Sequence, residues 1–384
     1  MSEFAKLWAE IAPVGRADSG GYLRFALTEP ELTLRDWFRA QASFRDMTVT
    51  EDGNGNLFAW RGEPWAPGTV LTGSHFDSVP HGGGYDGPLG IVSAFLAVDR
   101  LPSDRKVGIA AFVEEEGGRF GVPCLGSRLL TGAIAPEKAA TLKDRDGVTF
   151  SAALNSVPSG FIGQIANVAA YVELHIEQGR ALTTPVGVGS AIWPHGRWRM
   201  DFTGVGDHAG TTRMTDRHDP MLTFAHTVLA ANRAAIEAGA HATMGRVQVE
   251  PNATNAIPSL VRGWLDARAV DTATLGRLVD AVVREATERA GRDGTALAVT
   301  AESVTGEVAF DTALAGRLSA LLGDAPILPT QAGHDAGVLS AHVPTAMLFV
   351  RNPTGVSHAP AEHATEADCE AGVEALATVL EELG

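Results

Sequence analysis

Apolar runs of strand length recur along the chain: Thr69 to Gly73, Val107 to Val113, Ala169 to Leu174 and Pro344 to Val350. Nearly every position in them is apolar, which is the pattern of strands buried on both faces. Leu89 to Leu101 and Glu366 to Leu383 have helical spacing. Together these segments predict an α/β unit with a mostly parallel mixed sheet flanked by helices. From His195 the rhythm changes. His195 to Gly204 alternates as a half-buried strand does, and Asp219-Pro220 caps a helix running to about Ala238. Gly245 to Glu250 and Leu260 to Val270 read as strands, Thr274 to Ala290 as a helix and Thr295 to Val304 as a last strand. That order, βαββαβ, is the split ferredoxin-like unit. It predicts a first domain over 1–194, an inserted domain over 195–304 and completion of the first by 305–384.

The polar residues of chemical interest follow directly after the apolar runs. Open parallel sheets bind their ligands at that edge. Gly73-Ser-His-Phe-Asp-Ser78 puts His75 at a strand end with Asp77 two residues on, and Asp86 follows in the glycine-rich loop Gly82-Gly-Gly-Tyr-Asp-Gly87. A carboxylate beside an imidazole can orient it toward a metal, although a solvated surface loop has the same composition. Glu114-Glu115-Glu116 ends the second run. Three adjacent acids at a buried strand end repel one another unless a cation or a proton offsets them, and a helix N-terminal acid cluster is the plainer alternative. One could ligate a metal while a neighbour serves as general base. His175 and His358 complete the set, each alone as compatible with a core or loop role. Three imidazoles and two carboxylates suit two divalent ions bridged by Asp86; zinc or manganese, and also cobalt or nickel, accept such ligands.

Composition narrows the classes. Against 46 Asp+Glu there are 30 Lys+Arg, a formal net charge of −16 over 384 residues, which disfavours nucleic acid or an anionic membrane as partner. Two cysteines, Cys124 and Cys369, cannot frame a disulfide-rich fold and read as buried small hydrophobes of a reducing compartment; with no apolar stretch long enough to span a bilayer and no signal-like N-terminus, a cytoplasmic protein is expected.

From about Gly53 to Glu362 these motifs, in order, resemble the amidase/hydantoinase/carbamoylase branch of the dinuclear aminoacylase and carboxypeptidase-type metallopeptidases. The resemblance implies a zinc-peptidase-like sheet with an inserted dimerisation or lid domain, and His75, Asp86, Glu116, His175 and His358 as metal ligands. It implies Glu115 as general base, Asp77 as the support of His75, and a cis peptide bond at Asp86–Gly87. Gly206-Asp-His-Ala-Gly-Thr-Thr-Arg-Met214 is similar to a motif whose histidine, here His208, polarises the scissile carbonyl in the partner subunit. Asn255 and Arg268 match positions that hold a substrate carboxylate, and Gln178 of the His-Ile-Glu-Gln-Gly stretch matches another substrate contact. Apart from the resemblance, His208 is equally a turn residue and Arg268 part of a solvated face. Arg213 and Arg351-Asn-Pro-Thr354 depart from the branch, and the bulky Ile192-Trp-Pro-His-Gly-Arg-Trp-Arg199 leaves open whether His195 contacts substrate or packs between domains. Whether Cys124 lines the site or packs beneath it is also open. The expected activity is hydrolysis of the ureido bond of an N-carbamoyl-L-amino acid or allantoate by a homodimer, releasing ammonia and carbon dioxide. A dipeptidase or N-acyl amino acid deacylase is the alternative within hydrolases, and a non-catalytic binding module the alternative outside them.

Overall fold

In the computed structural model, which describes residues 1–384, the four apolar runs become neighbouring strands of one sheet. Thr69–His75 lies between Val107–Phe112 and Val168–Ile176, and Thr345–Val350 lies beyond Val168–Ile176; all these pairings are parallel. Their C-terminal ends therefore share one edge. Antiparallel strands extend the sheet on both sides, Leu57–Arg61 then Thr48–Glu51 at one end and Val186–Ile192 at the other. Every residue of Thr69–His75, Val107–Phe112 and Thr345–Val350 is buried, as the unbroken apolar pattern requires.

Helix Pro88–Arg100 follows the Asp86 loop and is buried from Pro88 through Val98. Pro88 stands at its first turn, where a missing N–H costs nothing. The helix packs on the central strands and is covered by helices Glu3–Ile11 and Glu366–Leu383. Phe95, Val172, Leu174, Leu348, Val373 and Leu376 belong to the resulting core. The 86–87 peptide bond is a correction to expectation: the one cis bond is Glu250–Pro251, and Gly87 makes the turn instead with φ 87°. A left-handed glycine reverses the chain without the roughly 3 kcal/mol that a non-proline cis bond costs.

This compact unit comprises Met1–Ile192 and Ala309–Gly384, and a second comprises Trp193–Val308. The second unit has an antiparallel sheet in the order Ala296–Thr305, His195–Thr203, Leu260–Arg268, His241–Glu250. Helices Pro220–Ala238 and Thr272–Asp293 pack together on one face, and burial alternates along Leu260–Arg268 as a one-sided sheet demands. Asp219 and Asp271 cap the two helices by accepting from Met221 N and Thr274 N. The outer strand starts at His241, four residues ahead of the expected Gly245, because Ala242 and Met244 also pack on the helices. No helix of the chain is long and apolar enough to cross a membrane.

Phe95 is fully buried in the helix that carries the Asp86 loop. Phe95→Ala is expected to destabilise the protein by about 3–5 kcal/mol, read as a lowered midpoint in urea unfolding.

Candidate metal centre

His75 closes its strand, and its Nδ1 lies 3.0 Å from the main-chain oxygen of Asp77. His175 Nδ1 lies 2.8 Å from the oxygen of Ile176. A carbonyl only accepts, so in both rings Nδ1 carries the hydrogen and Nε2 presents a lone pair. Both Nε2 atoms are buried without a hydrogen-bond partner. They aim at one atom: Asp86 Oδ1 is 3.1 Å from His175 Nε2 and 3.6 Å from His75 Nε2. Lone pairs and a carboxylate converging in a dry site repel one another unless a cation sits among them.

The other oxygen of Asp86 serves a second group. Asp86 Oδ2 is 3.5 Å from His358 Nε2, and Glu116 Oε2 is 3.4 Å from the same nitrogen. His75, Asp86 and His175 form one set whose donor atoms lie within 4.8 Å of one another, and Asp86, Glu116 and His358 form another. The chain thus gathers all five expected ligands, with the Asp86 carboxylate common to both sets, and the donor chemistry fits two divalent ions. The titration pattern agrees. Burial alone would raise Asp86, but His175, His75 and His358 hold it well below the usual carboxylate range. Glu115 and Glu116 are driven well above that range, foremost by burial and then by neighbouring acids.

Glu115 stands beside the first set, with Oε2 3.6 Å from His75 Nε2. Its other oxygen faces the Cys124 thiol at 3.5 Å, and the Cys124 amide donates to its main-chain oxygen at 2.7 Å, so this cysteine touches the expected base instead of packing apart from it. Asp77 meets His75 through its carbonyl and, at 3.6 Å from Nδ1, through its carboxylate, which also accepts from both Glu115 N and Glu116 N at 3.1 Å. One side chain thereby fixes the turn that presents Glu115 and Glu116. Gln178 Nε2 donates to Asp86 Oδ2 at 2.8 Å.

Three expected site residues belong to the second unit. Asp207–His208 pairs with Ala256–Ile257, and Ala209 N donates to Asn255 O, so His208 and Asn255 share one exposed ribbon. His208 Nδ1 accepts from Gly210 N and Thr211 N, which leaves the hydrogen on Nε2, free to be offered outward. Arg268 lies on the central strand, 2.9 Å from Asp266, and its cross-strand neighbours are His195 and His241. His195 Nδ1 meets Trp193 O at 3.0 Å.

Some of the site escaped sequence reasoning. His334 packs against His175 with ring centroids 4.5 Å apart and planes tilted by 60°, its Nε2 buried and unpartnered, and burial together with His175 pushes its pKa well below that of a free imidazole. Glu173 accepts from Ser74 Oγ and from Ala336 N, tying the His334 loop to the central strand. Gly333-His-Asp335 is the signal that could have been read, but the strand before it, Ile327–Thr330, is short and half exposed.

The model for Peptidase family M20/M25/M40 matches residues 71–382. An N-carbamoyl-L-amino acid amidohydrolase from Geobacillus stearothermophilus is 33% identical over 98% of this chain and 97% of its own. Allantoate amidohydrolase from Escherichia coli is 30% identical over 97% and 95%. The crystal structure of an amidase of the hydantoinase/carbamoylase family from Burkholderia vietnamiensis superimposes with a TM-score of 0.89 at 31% identity, covering 99% of this chain and 97% of that one. With its parallel strand ends, paired ligand sets and adjacent carboxylate, the chain belongs to Peptidase family M20/M25/M40, on its amidase, hydantoinase and carbamoylase side, and is a hydrolase of C–N bonds.

Proposed function

We propose that the protein hydrolyses the terminal ureido C–N bond of an N-carbamoyl-L-amino acid or of allantoate. The observation that carries this reading is the division of the Asp86 carboxylate between two imidazole-containing ligand sets with Glu115 beside them. The names of relatives matched along nearly the whole chain support a ureido substrate. His75, His175 and Asp86 would hold one divalent ion and Asp86, Glu116 and His358 the other, zinc or manganese in the first place; such ions when bound supply a more acidic water and a polarised carbonyl.

Glu115 Oε2 is the atom to take the proton of the attacking water. A bond forms from the water oxygen to the ureido carbon, the bond to the terminal nitrogen breaks, and Glu115 returns the proton to the departing nitrogen, which leaves as ammonia. The remaining carbamate loses carbon dioxide to give the amine. His208, with its hydrogen on Nε2 and supplied by the other subunit of a homodimer, is the donor to the carbonyl oxygen as charge develops there. Arg268 and Asn255 are the groups to hold the substrate carboxylate through a guanidinium fork and an amide, and Gln178 is a further substrate contact.

A homodimer formed by the second unit accompanies this reading. His241–Glu250 is paired on one side only. The helix packed on it, Pro220–Ala238, exposes Leu222, Leu229 and Ile236 at seven-residue spacing, with Ile236 73% exposed. An open strand edge beside an apolar stripe is a surface that a second copy covers.

The metal-reconstituted enzyme should release ammonia from allantoate or N-carbamoyl-L-amino acids and none from dipeptides; peptide cleavage without ammonia would put the dipeptidase or deacylase reading ahead. Glu115→Gln is expected to keep its metal content and lose about 10²–10⁴-fold in kcat. His208→Ala should lower kcat by about 10²–10³-fold. Leu229→Glu combined with Ile236→Glu should sediment as a folded monomer that binds metal and does not turn over; a fully active monomer would remove the subunit requirement.

A further inference from the structure

Glu362 lies four residues past His358 and is 5% exposed. Its Oε1 accepts from Tyr85 N at 2.8 Å and from Asp86 N at 3.0 Å, across 277 and 276 residues of sequence. Its Oε2 is buried with no hydrogen-bond partner. The loop leading to Asp86 is shaped around this carboxylate: a Cβ at Gly83 would fall inside contact distance of the Glu362 carboxyl group. The loop is otherwise held by the Tyr85 ring, stacked on Trp8 at 4.6 Å and edge-on to His363 at 5.9 Å. Asp86 N and the Asp86 carboxylate belong to one residue, so an acceptor that fixes the amide also limits where both carboxylate oxygens go.

We propose that Glu362 is a positioning residue that locks the bridging Asp86 to the His358 loop by accepting both amides of the Tyr85–Asp86 turn. This inference takes its ligand set from the reading above. The task is hydrogen-bond acceptance by one oxygen, and a glutamine carbonyl can perform it. Two main-chain donors to a single oxygen offset part of the cost of desolvating this carboxylate. Glu362 touches no reacting atom. It acts by holding together ligands that come from opposite ends of the chain.

The test uses Glu362→Ala, Glu362→Gln and Gly83→Ala in the full-length protein. Three readouts are taken: hydrogen–deuterium exchange of the segment around Tyr85 and Asp86 in metal-free protein, zinc titration, and steady-state kinetics. Glu362→Ala is expected to expose the two amides to rapid exchange. It should also weaken zinc binding and lower kcat by about 10–100-fold, the usual cost of losing a group that orients ligands, with KM little changed. Glu362→Gln should stay near wild type in all three. Gly83→Ala, which displaces the carboxylate from outside, should resemble Glu362→Ala and decides the matter if that variant fails to fold. Wild-type amide protection and zinc affinity in Glu362→Ala, or in Gly83→Ala if it alone folds, would overturn the assignment. So would equal damage in the glutamine and alanine variants, since charge would then be what matters. Exchange and zinc titration need no substrate, so they test the role of Glu362 even if the substrate assignment is wrong.

Discussion

A negative charge in a dry place with lone pairs aimed at it is the constraint on which this structure turns. Asp86 is 5% exposed, and the two nitrogens facing its Oδ1 are the ones left without hydrogens by the carbonyl partners of His75 and His175. In water such a group would be solvated; here Gln178 donates to Oδ2 alone, and a cation, or protons in its absence, offsets the crowding at Oδ1. The elevated carboxyls of Glu115 and Glu116 follow from the same crowding.

Around that centre several acids outside the two candidate ligand sets bond to main chain. Asp77 holds the Glu115 and Glu116 amides, Glu173 the Ala336 amide, and Glu362 those of Tyr85 and Asp86. Glu114 accepts from Arg119 N and Phe120 N, and burial with Asp77 nearby raises it to about 8. Loops at the edge of a parallel sheet have no ladder to hold them, and these carboxylates supply the missing bonds. Rigid presentation of the ligands comes from this arrangement as much as from the strands themselves.

What the sequence made legible is what periodicity and position express. Continuous apolar runs marked the parallel strands, and residues just past them, His75, Glu116, His175 and His358, fell together because parallel strands end on one edge. Glu362 and Glu173 were not legible in this way: their partners lie 276 and 163 residues distant, and nothing local to a glutamate says which remote amide it will meet. The N-terminal helix Glu29–Phe44 was hidden for a related reason. It buries Arg35 and Glu31, which pair at 3.5 Å, so its inner face looks polar in sequence. His334 was missed because its loop follows a weak strand, and the cis bond at Asp86–Gly87 was expected where a glycine torsion makes the turn.

Thr345–Val350 enters the sheet between Val168–Ile176 and Val186–Ile192, although it is the last strand made. During synthesis the sheet therefore waits with a gap in its middle while more than a hundred residues of an independent unit emerge and collapse. For that interval two interior edges stand unpaired, and they invite pairing with another nascent chain. Closure of the sheet thus falls to a strand made after the inserted unit, a part of the molecule that carries none of the five candidate ligands.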